Sequence, residues 1–180
     1  MKELKLETAE PPQQTFTKSP YVIEDSTRRI EFHFFGWAHT RGDGFAYLPK
    51  ERIVCTGDAV VNGPFNYVND ANIGNWPKVI AAVQMKDPMY VLPGHGPRGG
   101  KEILVGQRRF FEELHSAVSR DFKVGKKLED IVTFDGKKAK ATSIRLPDDV
   151  KAWVGSGFAG QVELAYREVA EKKPAGELTK

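Results

Sequence analysis

Three short apolar runs in this chain stop at or near glycine, and each is followed within a few residues by a side chain that can bind a metal or move a proton. Arg29 to Phe35 ends at Gly36 ahead of His39, Ile53-Val54-Cys55 runs into Thr56-Gly57-Asp58, and Met89 to Leu92 stops at Pro93-Gly94-His95-Gly96. Short runs bounded by turn residues predict strands. The segments between and after them carry a helical period instead. Trp76, Val79, Ile80 and Val83 recur at that spacing, with Asn75 as N-cap and Pro77 in the first turn. A second helix follows Gly100, carries Ile103, Leu104, Phe110, Phe111, Leu114 and Val118, and ends at Gly125. A last helix presents Phe158, Val162, Ala165, Tyr166 and Val169 on one face, docked through Trp153 and Phe158 around Gly155-Ser156-Gly157. Strands alternating with helices predict an α/β fold.

Other segments complete the outline. Tyr21-Val22-Ile23 reads as a first strand, and Phe45 to Leu48 pairs with Ile53-Val54-Cys55 through the turn Pro49-Lys50-Glu51-Arg52. Ile131 to Phe134 fits helix or strand equally. Ala59 to Asn75 is a long irregular loop, and loops of that length in a compact domain are commonly functional or mobile. Residues 1–20, with Pro11, Pro12 and Pro20, read as an extended connector, 21–170 as the domain, and 171–180 as a flexible tail.

Composition narrows the function classes. Lys and Arg number 27 against 24 Asp and Glu, a net charge of +3 that is too mild to argue for a nucleic-acid partner. No apolar run approaches a membrane span. Met1 to Glu7 is too charged for a signal peptide, which points to the cytoplasm for a complete chain. The single cysteine, Cys55, excludes a disulfide framework and a cysteine-rich zinc module, and reads as a small core residue.

His39, Asp58 and His95 all stand at the carboxyl ends of predicted strands, where ligands of open α/β sheets collect. Flanking glycines let the backbone turn sharply there. Two imidazoles and a carboxylate suit a borderline cation such as zinc. Taken singly, each has a plainer reading as a hydrogen-bonded turn residue; their joint occurrence is what carries the signal. His33 alternates with Phe32 and Phe34 as a pairing or surface position, and His115 sits beside Glu112 and Glu113 on a solvated helix face. Arg108 and Arg109 face solvent or ion pairs. Pro97 to Gly100, ahead of a helix, fits a plain turn or an anion cradle.

Ala38-His39-Thr40-Arg41-Gly42-Asp43, Thr56-Gly57-Asp58 and Pro93-Gly94-His95-Gly96, in that order, resemble the second half of a metallo-β-lactamase-fold hydrolase of the β-lactamase-like or cyclase-like branch. The likeness spans Tyr21 to Tyr166, including Trp76 and Leu146-Pro147. It implies an α/β architecture that is the C-terminal half of an αββα sandwich, a mixed sheet with flanking helices. It also implies a binuclear zinc hydrolase, with His39 on the first metal, Asp58 catalytic and bridging both, and His95 on the second. Thr40 and Asp43 would orient the His39 loop, while Phe65, Tyr67, Asn69 and Asp70 would line the substrate mouth or else form an ordinary solvated loop. The substrate would be a small ester, amide or thioester.

The H-x-H-x-D-H motif that supplies the remaining ligands in that family does not occur in this sequence. Three ligands shared between two ions fall short of a catalytic zinc site. The expectation is therefore a truncated portion that binds zinc weakly or not at all and is inactive alone. It would need a complementary N-terminal half or a second copy to cover its bare sheet face. The alternatives are a catalytically silent interaction module, or a self-associating dimer that shares metal between copies.

Overall fold

The computed structural model describes residues 13–179. The leading residues of the expected connector and the Met1 to Glu7 segment lie outside that range, and residues 13–20 lead in without regular structure. A five-stranded sheet is built in chain order from β1 (Tyr21–Glu24), β2 (Arg29–His33), β3 (Phe45–Leu48), β4 (Ile53–Gly57) and β5 (Tyr90–Pro93). The first four strands are antiparallel neighbours, and β5 lies parallel to β4. A parallel pair cannot be joined by a hairpin. The crossover consists of the 58–75 loop and α1 (Trp76–Gln84), so the long irregular segment is a topological requirement of the sheet.

Register sorts the strand residues onto two faces. Val22 pairs with Glu31, Glu31 with Tyr47, Tyr47 with Val54 and Val54 with Val91, a row that crosses all five strands. Tyr47, Val54 and Val91 on this row are buried with α1 and with α2 (Lys101–Lys123). The α1 face follows its sequence period: Trp76, Val79, Ile80 and Val83 are all buried. Trp76 stacks on Phe111 of α2 with ring centroids 4.1 Å apart, and its indole N–H donates to the Ala59 carbonyl at 2.8 Å.

After α2, a short helix α3 (Leu128–Ile131) passes into the hairpin β6 (Val132–Asp135) and β7 (Lys138–Thr142), so the ambiguous 131–134 stretch is a helix end followed by a strand. A 3₁₀ turn at Asp148–Trp153 leads to α4 (Phe158–Glu171), which packs on α2 and on the hairpin. Trp153 lies against α2 at Gly106, where a Cβ would fall 2.0 Å from the indole, so this helix position tolerates no side chain. The result is a mixed sheet with flanking helices.

Several sequence expectations change. The strand expected over 29–35 is regular only to His33. His33 is buried on the helix-facing side, because a period-2 strand puts it in register with Phe45. Its ring stacks on Phe35 at 5.1 Å and bonds to Glu31 at 3.0 Å. Cys55 is only half-buried, and Tyr90 and Leu92 are exposed, since all three point to the opposite sheet face. Lys172 to Gly176 does not trail away: α5 (Ala175–Leu178) follows, with Ala175 and Gly176 buried.

Candidate metal-ligand residues at the strand ends

Asp58 follows Gly57, whose φ of +51° turns the chain off the end of β4. The neighbouring strand end is pressed directly against it. The Gly94 N–H donates to the carbonyls of Gly57 and Val60, each at 3.0 Å. A Cβ on Gly94 would lie 2.0 Å from Asp58 Oδ1 and 2.6 Å from the Gly57 carbonyl carbon, so only glycine fits. This contact brings His95 to Asp58, with Nε2 and Oδ1 3.5 Å apart and both side chains open to solvent.

The loop after Asp58 clamps the other side of His95. The Asn62 N–H donates to the His95 carbonyl at 2.8 Å, and the Asn62 side-chain amide donates to the Pro97 carbonyl at 2.9 Å. Gly96 has φ +85° and a hypothetical Cβ 2.0 Å from the Asn62 carbonyl oxygen, so it too is confined to glycine. Further along, Asn66 is buried. Its side-chain oxygen accepts from Gln107 at 2.9 Å and its carbonyl accepts from Gln161 at 2.7 Å. Anchors at Asn66 and Val68 leave Phe65 and Tyr67 facing out. The Phe65 ring lies 5.8 Å from His95, and that of Tyr67 lies 6.2 Å from His39. The Asn69 carbonyl accepts from Thr179, and the Asp70 carbonyl accepts from the indole of Trp37, at the foot of the His39 loop.

His39 sits on a loop organised by Asp43. That buried carboxylate accepts from the N–H of Ala38 at 3.0 Å and from both the N–H and hydroxyl of Thr40, at 2.9 and 2.8 Å. The Asn72 N–H donates to the Ala38 carbonyl and the Asn75 side chain to the Trp37 carbonyl, tying this loop to the entrance of α1. The His39 ring lies 5.9 Å from Trp76.

Asp58 and His95 therefore meet, while His39 is held on its own platform. Among the described residues, no group of three or more His, Cys, Asp or Glu side chains is gathered closely enough to hold a metal ion. A catalytic zinc takes three protein ligands and an open position. The residues present offer a pair and a separate imidazole, which is not a complete site of that kind. Two clefts of about 620 and 570 Å³ lie elsewhere, lined in part by Asn69, Glu163 and Arg167 and by Lys78, His115 and Lys123. His115, expected on a solvated face, is half-buried at the second. Arg108 and Arg109 are ion-paired, with Glu112 and with Glu113 and Asp149.

Glu168 supports this region without any motif to announce it. Buried on α4, it accepts from the N–H groups of Ile73 at 3.0 Å, Gly74 at 2.6 Å and Ala175 at 2.9 Å. The available signal was position: Glu168 lies on the same helix face as Gln161, Ala165 and Phe158, where a charge is out of place.

No family model matches the chain. It is 27% identical over 114 residues to a metallo-beta-lactamase type 2 of Bacteroides fragilis, which covers 61% of this chain and 45% of that protein. A solved metallo-beta-lactamase from Pontibacter korlensis superposes with a TM-score of 0.50 at 25% identity, over 57% of this chain and 50% of the other. An inverting sec-alkylsulfatase from Pseudomonas sp. shares the fold alone, with a TM-score of 0.68 at 15% identity over 88% of this chain and 26% of that one. Sequence and structure neighbours together point to the metallo-β-lactamase fold superfamily, over about 60% of the chain. The chain spans about half the length of the metallo-beta-lactamases it matches.

Proposed function

We propose that this chain carries one part of a metal-dependent hydrolase site of the metallo-β-lactamase type, with Asp58, His95 and His39 as its contribution. The observation that carries this reading is the approach of His95 to Asp58 at the joined ends of β4 and β5, permitted by Gly94, where any side chain would collide with Asp58. Folding alone gives no reason to press two solvent-facing polar groups together at a sheet end; a shared ligand does. The likeness to metallo-beta-lactamases supports the same reading.

In the assembled site zinc would supply a polarising charge and a nucleophilic water. The tasks assigned to the chain itself are narrower. Asp58 offers a carboxylate with two free oxygens, and His95 a ring nitrogen beside it. Asp43 and Thr40 fix the loop that presents His39. Phe65 and Tyr67, each beside one histidine, would flank a small ester, amide or thioester substrate. The remaining metal ligands would come from outside the described residues, so the chain alone is assigned weak zinc binding and no turnover.

Isothermal titration with zinc tests this assignment. The expected result is weak binding that Asp58→Ala and His95→Ala each abolish. Binding untouched by either substitution would remove the assignment, and about two zinc ions retained through dialysis would show the half-site count to be wrong.

A further inference from the structure

The chain turns back on itself after α4. Lys172, with φ +54°, reverses its direction, the Ala175 N–H donates to buried Glu168 at 2.9 Å, and α5 settles on residues 69–72 of the crossover loop. That strip is shared, and its residues alternate between two neighbours. The Asn69 carbonyl accepts from the Thr179 hydroxyl and the Ala71 carbonyl from the Gly176 N–H, each at 2.8 Å, so these two serve the C-terminal side. The Asp70 carbonyl accepts from the Trp37 indole at 2.7 Å, and the Asn72 N–H donates to the Ala38 carbonyl at 2.8 Å, so these two serve the loop that carries His39. The fit is close. A Cβ on Gly176 would lie 2.5 Å from the Asp70 carbonyl oxygen, the same atom that holds Trp37, and 2.6 Å from its carbonyl carbon. Arg41 also bridges the two sides directly: its guanidinium lies 4.1 Å from the centre of the Trp37 ring and pairs with Glu177 at 2.6 Å.

We infer that α5 is a clamp on the His39 loop, with Gly176 and Glu177 as positioning residues that act through Asp70, Trp37 and Arg41. An ion pair between exposed side chains adds little stability by itself. Its geometry is what matters here. A planar guanidinium stacked on Trp37 and bonded to Glu177 grips both ends of the Trp37-to-Arg41 segment from the C-terminal side. Buried Asp43 grips the same segment from within, at Ala38 and Thr40. His39 stands between these holds, half-buried. A metal ligand is only as well placed as the groups that support it. The use of the clamp rests on the proposed reading of His39 as a zinc ligand: docked α5 holds the imidazole in place, and undocked α5 releases it. The mechanical coupling between α5 and the loop stands apart from that reading and is measured without metal.

Nuclear magnetic resonance of the metal-free full chain tests the coupling. In Gly176→Ala, whose added methyl group pushes α5 off Asp70, the His39 ring signals should shift, and exchange at the Ala38 and Thr40 amides should quicken by about tenfold. Glu177→Ala, at an exposed position where the fold is not at risk, should act in the same direction by about twofold to fivefold. The His95 ring, on a separate loop, should keep its signals in both variants, and the α2 core amides should stay protected. Unmoved His39 signals in the two folded variants overturn the proposal. So does a change at His95 and α2 as large as that at His39, which would mean a general loosening. Zinc is then added as a separate readout. It should shift the His39 ring of the parent chain at a lower concentration than that of Gly176→Ala. A parent His39 ring that zinc never shifts overturns the use assigned to the clamp, and with it the reading of His39 as a ligand, even where the coupling measured without metal holds.

Discussion

A Cβ on Gly94 would stand 2.0 Å from the Asp58 carboxylate, so the absence of a side chain at residue 94 is what lets the β5 end close on the β4 end. Gly94→Ala should therefore act at two levels. The clash involves backbone as well as a side chain, which cannot simply swing away, and overpacking of this kind costs about 1–3 kcal/mol. Urea unfolding should show that loss. The same shift should carry His95 away from Asp58, so zinc titration of the variant should be weaker than that of the parent chain even where both are fully folded. Unaltered zinc binding in a destabilised Gly94→Ala would separate the strand contact from the candidate site.

The Asp43 carboxylate offers a second test, because it satisfies three donors of the His39 loop and is itself buried. Asp43→Ala leaves those donors without partners, and each unsatisfied buried group costs about 1–3 kcal/mol. The loop will relax before paying all of it. Hydrogen exchange should rise at the Ala38 and Thr40 amides while the α2 core amides stay protected. Asp43→Asn, which keeps one acceptor oxygen, should fall between the two.

How much of this was legible in the sequence follows from the range of the interactions involved. Helices α1, α2 and α4 announced themselves because one face repeats at 3.6 residues, and the buried residues fall where that period puts them. The β3–β4 hairpin was visible for the same kind of local reason. His33, read as a pairing or surface position, pairs with Phe45 but is buried, because a period-2 pattern states that two faces exist, not which one meets the helices. Cys55 was misplaced by the same ambiguity, and it sits on the face that carries no second layer among the described residues. The order His39, Asp58, His95 was legible along the chain, and the structure sets Asp58 beside His95. The separation of His39 from that pair depends on how three loops lie in space, which spacing along a chain does not encode. Glu168 was marked only by its place on the apolar face of α4, and its donors Gly74 and Ile73, 94 and 95 residues away, were beyond any local pattern.

Glu168 should prove a structural tie between α4, the crossover loop and α5. Glu168→Ala removes the acceptor of three N–H groups, two of them on the loop that enters α1. A loss of about 3 kcal/mol is expected, with backbone groups left unpaired in a buried setting. Glu168→Gln retains one acceptor oxygen in the same shape and should lose less. Urea midpoints of the two variants against the parent chain measure the difference, and equal midpoints for Ala and Gln would show that the carboxylate oxygens hold nothing together.

His33 and Glu31 make stability depend on pH in two successive windows. Burial pushes the His33 imidazole below its ordinary pKa of 6.5, and Lys86 works in the same direction, while Glu31 partly opposes both. For Glu31, burial works to raise the carboxyl, but hydrogen bonds from Arg29 and His33, with the nearby Lys86, outweigh it and hold the pKa below its ordinary value. The neighbours facing this pair from other elements are Tyr47, Phe35 and Lys86, of which only Lys86 carries charge near neutrality. A base with a lowered folded pKa binds fewer protons folded than unfolded, so its contribution is complete above 6.5 and falls as pH drops toward the folded value. Glu31 follows the same sign at lower pH: its contribution is complete above the ordinary carboxylate range and is lost as acid protonates the folded form. Urea midpoints should accordingly decline from about pH 7 downward in the parent chain. His33→Gln, which cannot titrate, should flatten the upper part of that decline and leave the acidic part in place. A parent chain equally stable at pH 5 and pH 8 would mean that His33 is reached by water and carries its proton in the fold.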